Sequence, residues 1–254
     1  MSGITLYQFR FSPYNEKVRW ALDYKGIAHR RVSLLPGPHI GKARKLSGQS
    51  ATPILVIDSD VIAGSADILD EIERRFPDRP LGPAGEVGRA RAAQVERIFD
   101  DGITPKIRRA VLAAMIDSPG YMARCFAQGH SGFVRVFYGL ALPFARGLIK
   151  KGNGITGRDS VREGEAAAQE ALDWVVAETA ATGYLFGTAF SRADLVVAAH
   201  LAPLVDPPHA DMQRPSPMPR RMRKWLARWR AHPGAAWVMA MYAKHRPPTQ
   251  GRNA

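Results

Sequence analysis

In the first 76 residues, segments whose apolar residues have helical spacing alternate with short segments rich in β-branched and aromatic residues. Helical spacing of apolar residues predicts one helix that starts at Pro13, capped by Ser12, and another that starts at Ser65. A short helix fits over 42–46. β-branched and aromatic residues predict strands at 4–9, 29–34, 54–57 and 61–63. The predicted order of elements is therefore βαβ-α-ββα.

After Pro77 the sequence pattern changes from alternating strands and helices to a linker followed by helices. The stretch from Pro77 to Gly88 contains three prolines and three glycines, a composition typical of a linker. Beyond it no segment is a convincing strand, and apolar spacing predicts helices over 89–115, 121–149, 162–182, 193–204 and 219–232. We predict an α/β domain over residues 1–78, a linker over 79–88 and an all-helical domain over 89–254.

Composition narrows the class of protein. The single cysteine of the 254 residues, Cys125, excludes a disulfide framework and a cysteine-rich zinc site, and it fits a reducing compartment. The seven histidines show no spacing suited to a metal, so no metal site is expected. The longest near-continuous apolar stretch, 195–205, is shorter than the roughly 20 residues of a membrane span, and the N-terminus lacks a signal-peptide pattern. We expect a cytoplasmic protein with no membrane partner.

The formal net charge of +13 favours anionic ligands in general. In the densest basic run, 220–230, helical spacing places Trp225, Leu226 and Trp229 on one side of a predicted helix. Its cations are therefore expected on the opposite, solvent-exposed side. We therefore expect no nucleic-acid partner.

Four local patterns point to a family. Three lie in the α/β half: SPYNEKVR at 12–19, GQSATPIL at 48–55 and GSADI at 64–68. The fourth, YLFG followed by FSRADL, lies at 184–195 in the helical half. In this order and spacing the chain resembles serine-type glutathione transferases over nearly its whole length. The resemblance implies a thioredoxin-like α+β domain followed by an all-α helical-bundle domain, glutathione as co-substrate, and a homodimer.

The resemblance assigns roles to residues of the α/β half. The hydroxyl of Ser12 would donate a hydrogen bond to the sulfur of glutathione and stabilise the thiolate, although Ser12 could equally be a plain helix cap. The bond between Thr52 and Pro53 would be cis, which would expose the backbone of Thr52 to the cysteinyl part of glutathione. The alternative is an ordinary proline at the entry to a strand.

The γ-glutamyl carboxylate would bind at Gly64 and Ser65, with Ser65 as the cap of a helix whose N-terminus favours anions. The family usually carries Glu or Gln where this chain has Gly64, and many serine-type members carry Lys where it has Ala51. Both departures remove side chains from the implied site.

Other candidates have structural interpretations. Tyr7 is a rival catalytic hydroxyl but is expected to pack as a strand residue. Cys125 is expected to be a buried small hydrophobe. Ser191 and Asp194 match a capping box. Aromatic and methionine residues of 121–144 would either line a substrate pocket or pack in the core.

Together these observations predict an enzyme. It would activate the thiol of glutathione for attack on a small hydrophobic electrophile or a peroxide. The alternative is a glutathione transferase-like binding or interaction protein with weak or no glutathione use.

Overall fold

Four strands and three helices form the first part of the fold. The structure is a computed structural model and describes residues 3–83 and 85–253. The elements are β1 (Ile4–Gln8), α1 (Pro13–Tyr24), β2 (Arg30–Ser33), α2 (His39–Ser47), β3 (Ile54–Ile57), β4 (Asp60–Ala63) and α3 (Ser65–Arg75). The predicted βαβ-α-ββα order is confirmed, and with it the thioredoxin-like fold class.

The rest of the described chain is mostly helical. Its helices are α4 (Glu86–Arg97), α5 (Thr104–Met115), α6 (Pro119–Phe126), α7 (Gly132–Gly152), α8 (Arg158–Thr179), α9 (Arg192–Val205), α10 (Arg220–Trp229) and α11 (Pro233–His245). A π-helical turn, Ile98–Ile103, joins α4 to α5 without a break. The prediction of a single helix over 121–149 is wrong. Gly129, with a φ of 89°, separates α6 from α7, and Ser131 caps α7.

The sheet has the strand order β4-β3-β1-β2-β5, where β5 is Arg252–Asn253. β1 runs parallel to β2 and antiparallel to β3. The short strand β5 was not predicted, because two residues carry no periodicity. β5 is held beside β2 by contacts between residues far apart in the sequence, since the backbone N–H of Arg252 donates to the carbonyl of His29 at 3.0 Å.

Helix α9 lies at the centre of the core, and its residues from Ala193 to Leu204 are all buried. The predicted capping box at its start is confirmed. The backbone N–H and the hydroxyl of Ser191 both donate to Asp194 Oδ2 at 2.9 Å, and Leu185 N donates to Asp194 Oδ1 at 2.8 Å. The buried side of α10 is confirmed as well, since Trp225 and Trp229 are buried while the cations of the helix are exposed.

A buried ionic cluster joins α1 to the C-terminal segment. We use this name for Glu16, Arg19, Asp23, Arg31, Asp211 and Arg246, all of them buried. Arg246 is its centre, because its guanidinium contacts Glu16 at 2.9 Å, Asp23 at 2.8 Å and Asp211 at 2.7 Å. Burial opposes ionisation of Glu16, but Arg246 and Arg19 hold the pKa of its carboxyl below the ordinary value. The cluster fixes the orientation of α1, which begins directly after the candidate residue Ser12.

Candidate functional site

Ser12 lies between β1 and α1 and is half-buried. It is the N-cap of α1, with Pro13 at the first helical position, as predicted. Its carbonyl accepts from Glu16 N at 2.9 Å, but its hydroxyl makes no capping hydrogen bond. Ser12 therefore occupies the N-cap position, but its hydroxyl, which lies at the positive end of α1, is not hydrogen-bonded to the backbone of that helix.

Arg19 holds the turn that precedes Ser12. Its Nη1 donates to Gln8 Oε1 at 2.8 Å and to the carbonyl of Phe9 at 3.2 Å, and its Nε contacts Glu16 Oε2 at 2.7 Å. Arg19 of the SPYNEKVR motif, held by Glu16, thus has a structural role, which is to fix the end of β1 against α1.

Thr52 and Pro53 lie beside the start of α1, and their peptide bond is cis, as the resemblance implies. Asn15 makes the connection: its Nδ2 donates to Thr52 Oγ1 at 3.2 Å. Asn15 is fully buried, and its Oδ1 has no hydrogen-bond partner among the residues that the structure describes. The sequence analysis missed this role, although Asn15 falls one helical turn after Ser12 in the motif.

Gly64 brings the start of α3 to the same place. Its backbone N–H donates to the carbonyl of Pro53 at 3.3 Å, and it is the N-cap of α3 with a φ of 105°. Ser65 is the first residue of the helix, so the prediction that Ser65 is the cap is wrong. A Cβ at Gly64 would lie 3.1 Å from Asp67 Oδ2, and its φ is one that L side chains rarely adopt. Glycine is therefore well matched to this backbone.

The N-termini of α1 and α3 thus meet at the Thr52–Pro53 segment. Free N–H groups at two helix starts form an environment that favours an anion. One feature of α3 opposes this, because the exposed carboxylate of Asp67 lies in its first turn. Asp67 is a second residue whose importance was not recognised from the sequence.

His39, at the start of α2, closes another side of this region. Its Nε2 lies 2.8 Å from the carbonyl oxygen of Ser50, and its ring meets that of Phe9 edge-on at 4.6 Å. Burial lowers the pKa of His39, so the ring is neutral at pH 7. His39 therefore holds the segment before Thr52 without adding a charge.

Two tyrosines near the site are engaged elsewhere. The Tyr14 hydroxyl donates to the carbonyl of Asp100 at 2.6 Å, and burial raises its pKa to about 12. Tyr7 lies in β1 opposite Ile54, with Lys42 Nζ 5.5 Å above its ring, and so it is a strand residue as predicted. The Tyr14 hydroxyl is thus occupied by a backbone carbonyl, whereas Ser12 has a hydroxyl at a helix N-terminus and stays the candidate for the catalytic role.

Contacts between α1 and α4 hold the site against the helical part. Lys17 Nζ is fully buried and contacts Glu96 Oε1 and Asp100 Oδ2, each at 2.7 Å. One fully buried cation of α1 is thus held by a carboxylate of α4 and by one of the π-helical turn that follows it, which fixes the position of α1 against both.

Cys125 is buried, as predicted, and burial raises the pKa of its thiol to about 11. Of the two interpretations of the aromatic and methionine residues of 121–144, core packing is right for Tyr121 and Met122, which are buried, and wrong for Phe133, Phe137 and Phe144, which are exposed to solvent. Within residues 3–83 and 85–253 no group of three or more His, Cys, Asp or Glu side chains is placed to hold a metal ion.

Comparisons with known proteins agree with this geometry. Residues 6–80 match the family described as "Glutathione S-transferase, N-terminal domain". A maleylacetoacetate isomerase from Dictyostelium discoideum is 33% identical over 120 residues, 45% of this chain and 55% of that protein. Glutathione S-transferase 1 from Dianthus caryophyllus is 36% identical over 110 residues, 42% of this chain and 50% of that protein. The chain thus spans about half the length of the curated relatives it matches.

The likeness in structure covers more of the chain. A glutathione S-transferase from Methylobacillus flagellatus, solved with glutathione bound, superposes with a TM-score of 0.62 at 16% identity, covering 97% of this chain and all of that one. At this identity the likeness shows the fold alone. Residues 6–80 therefore form a domain of the glutathione S-transferase N-terminal type, and the fold of the whole described chain is similar to that of a glutathione S-transferase.

Proposed function

We propose that this protein is a glutathione-dependent transferase or isomerase in which Ser12 holds the sulfur of glutathione as a thiolate. One observation carries the proposal: the Ser12 hydroxyl lies at the N-terminus of α1 and makes no capping hydrogen bond. The names of the relatives, an isomerase and a transferase, support glutathione-dependent chemistry in general.

The chemistry follows from the acidity of a thiol. A free cysteine thiol has a pKa of about 8.5 and is mostly protonated at pH 7, whereas the thiolate is the nucleophile. A hydrogen bond from Ser12 and the positive end of α1 would both favour the charged form. Ser12 keeps its own proton in this scheme. The thiolate would attack a small hydrophobic electrophile or reduce a peroxide.

The rest of glutathione would lie on the segments that meet at Ser12. The backbone of Thr52, next to Pro53, would pair with the cysteinyl part of glutathione. The N-terminus of α3, at Gly64 and Ser65, would take the γ-glutamyl carboxylate. The proposal includes a glutathione-binding domain at 1–78, a linker at 79–88, a helical domain at 89–254, and a homodimer.

A second candidate function is a binding or interaction protein with weak glutathione use. Asp67 favours it, because a carboxylate in the first turn of α3 would repel the γ-glutamyl carboxylate. Gly64 also supplies no side chain to hold that carboxylate.

Calorimetry of the full chain with glutathione separates the two functions. The enzyme proposal predicts saturable binding, weakened about tenfold in Ser65→Ala because a hydrogen bond to a charged group is lost. Ser131→Ala, which removes the cap of α7, is the matched control and should leave binding unchanged. No binding at millimolar glutathione would contradict the enzyme proposal and favour the second function.

A further inference from the structure

Helix α7 exposes a continuous apolar stripe. We call it the α7 face, and its members, each at least 58% exposed, are Phe133, Val136, Phe137, Leu140, Phe144 and Leu148. Their spacing of one, three or four residues places them on one side of the helix. The opposite side is docked on the protein, since Leu142 is buried and the Tyr138 hydroxyl donates to the carbonyl of Pro36 at 3.0 Å. Monomeric soluble proteins seldom expose so many large apolar side chains together.

By length and composition α7 could cross a membrane. Its best 18-residue window has a mean hydropathy of 1.3, and only 6% of that window is buried. The structure favours a different placement, because Tyr138 and Leu142 fix one side of the helix to the folded chain. A helix that is docked on one side and apolar on the other lies along a surface and does not span it.

The charged residues of the sequence that contains α7, from 118 to 158, are all cationic. No Asp or Glu occurs from 118 to 158, while this stretch carries six cations: Arg124, Arg135, Arg146, Lys150, Lys151 and Arg158. Arg146 pairs with Asp117, which also pairs with Arg221 of the basic helix α10. Arg135, Lys150 and Lys151 take part in none of the ion pairs found among the described residues.

We propose that the α7 face docks on an anionic lipid bilayer surface. The acyl chains would take the phenylalanine and leucine side chains, and negatively charged headgroups would lie against the flanking cations. A second copy of this chain would bury the apolar side chains of the α7 face equally well. It would also bring the cations of two α7 helices together with no carboxylate on either helix. Charge complementarity therefore favours the bilayer.

This proposal departs from the expectation of no membrane partner. That expectation rested on the run at 195–205, which is buried in α9 from Leu195 to Leu204. Arg135 and Arg146 interrupt the apolar residues of α7, and so the sequence alone did not single it out. Only the structure shows that these apolar residues are exposed.

Co-sedimentation of the full chain with vesicles tests the proposal. Vesicles of phosphatidylglycerol mixed with phosphatidylcholine should bind the protein, and vesicles of phosphatidylcholine alone should bind it much less. Phe144→Asp should weaken binding at least about tenfold, because one large apolar side chain is lost. Val87→Asp is the matched control, since Val87 is 84% exposed on α4. Circular dichroism checks that each variant is folded.

A charge-reversal pair tests the electrostatic part. Lys150→Glu with Lys151→Glu should reduce binding about tenfold or more, as should 0.5 M salt. Arg89→Glu with Arg97→Glu makes the same change of charge on exposed residues of α4 and should have little effect.

Three results would overturn the proposal. The first is the absence of binding to anionic vesicles by the folded wild-type protein. The second is binding that Phe144→Asp and Val87→Asp weaken equally. The third is a wild-type protein that does not bind vesicles and forms a dimer in analytical ultracentrifugation, with Phe144→Asp dissociating that dimer. This result would make a second copy the partner of the α7 face.

Discussion

The side-chain amide of Asn15 donates to the hydroxyl oxygen of Thr52 at 3.2 Å. This hydrogen bond joins the first turn of α1 to the segment that enters β3. Ser12 begins that turn, so the bond sets the position of the Ser12 hydroxyl relative to the backbone of Thr52. Asn15 is therefore a positioning residue for the proposed glutathione site.

A double-mutant cycle measures this coupling. Asn15→Ala and Thr52→Val each remove one partner of the hydrogen bond, and each should weaken glutathione binding about fivefold to tenfold. The double variant should bind no more weakly than the weaker single variant, because the same bond is lost only once. Calorimetry gives the three affinities. Losses that simply multiply would show that the two residues act independently.

The carboxylate of Asp67 should oppose glutathione binding. Asp67→Asn removes a negative charge from the first turn of α3 and should tighten binding about threefold, with a smaller gain at high salt. Asp58→Asn is the matched control: it makes the same change of charge at an exposed turn between β3 and β4, where asparagine tolerates the φ of 56°. An unchanged affinity in Asp67→Asn would place the γ-glutamyl carboxylate away from α3.

The sequence predicted the elements that surround the site because each has a strong local signal. Ser12 and Pro13 mark a helix start, and β-branched residues alternate with turn residues through β3 and β4. These signals recovered the thioredoxin-like order and the N-cap at Ser12. They assigned the cap of α3 one residue too late, because glycine carries no side-chain signal and only the φ of Gly64 identifies it as the N-cap.

Features set by contacts distant in sequence could not be predicted. The bond from Asn15 to Thr52 joins positions 37 residues apart, and β5 is paired with β2 across most of the chain. The exposure of the α7 face also depends on tertiary packing, since the same apolar residues would suit a core or a substrate pocket. Periodicity shows that a residue is apolar but not what covers it.

The buried ionic cluster should make stability depend on Arg246. Arg246→Met leaves Glu16, Asp23 and Asp211 without their shared cation and should lower the free energy of unfolding by about 3–5 kcal/mol at pH 7. Urea denaturation measures the loss. Arg220→Met, at an exposed position of α10, is the control and should change stability by less than about 0.5 kcal/mol.

The same variant should respond less to acid. Burial opposes ionisation of Glu16 and Asp211, but the neighbouring arginines hold the pKa of each carboxyl below its ordinary value. The stability that they contribute is therefore present above the unfolded pKa of about 4 and is lost as the pH falls through the lower folded pKa. Urea denaturation between pH 6 and pH 2 should show a shallower loss in Arg246→Met than in wild type. An equal slope would show that Arg246 does not set these pKa values.

Cys125 should play no part in turnover. Burial raises the pKa of its thiol to about 11, so an alkylating reagent should label it slowly at pH 7 in the folded protein and quickly in urea. Cys125→Ala should keep the glutathione-dependent activity of wild type. Loss of activity in a folded Cys125→Ala variant would mean that the protein, and not glutathione, supplies the reactive sulfur.

The central claim is that Ser12 stabilises the thiolate of bound glutathione. Titration of that thiolate by ultraviolet absorbance, in saturating glutathione, tests it in wild type, Ser12→Ala and Tyr7→Phe. Losing a hydrogen bond to a charged sulfur should raise the pKa of the bound thiol by about 1–2 units in Ser12→Ala. Tyr7→Phe should leave the pKa unchanged. An unchanged pKa in Ser12→Ala, or a raised one in Tyr7→Phe alone, would contradict the account.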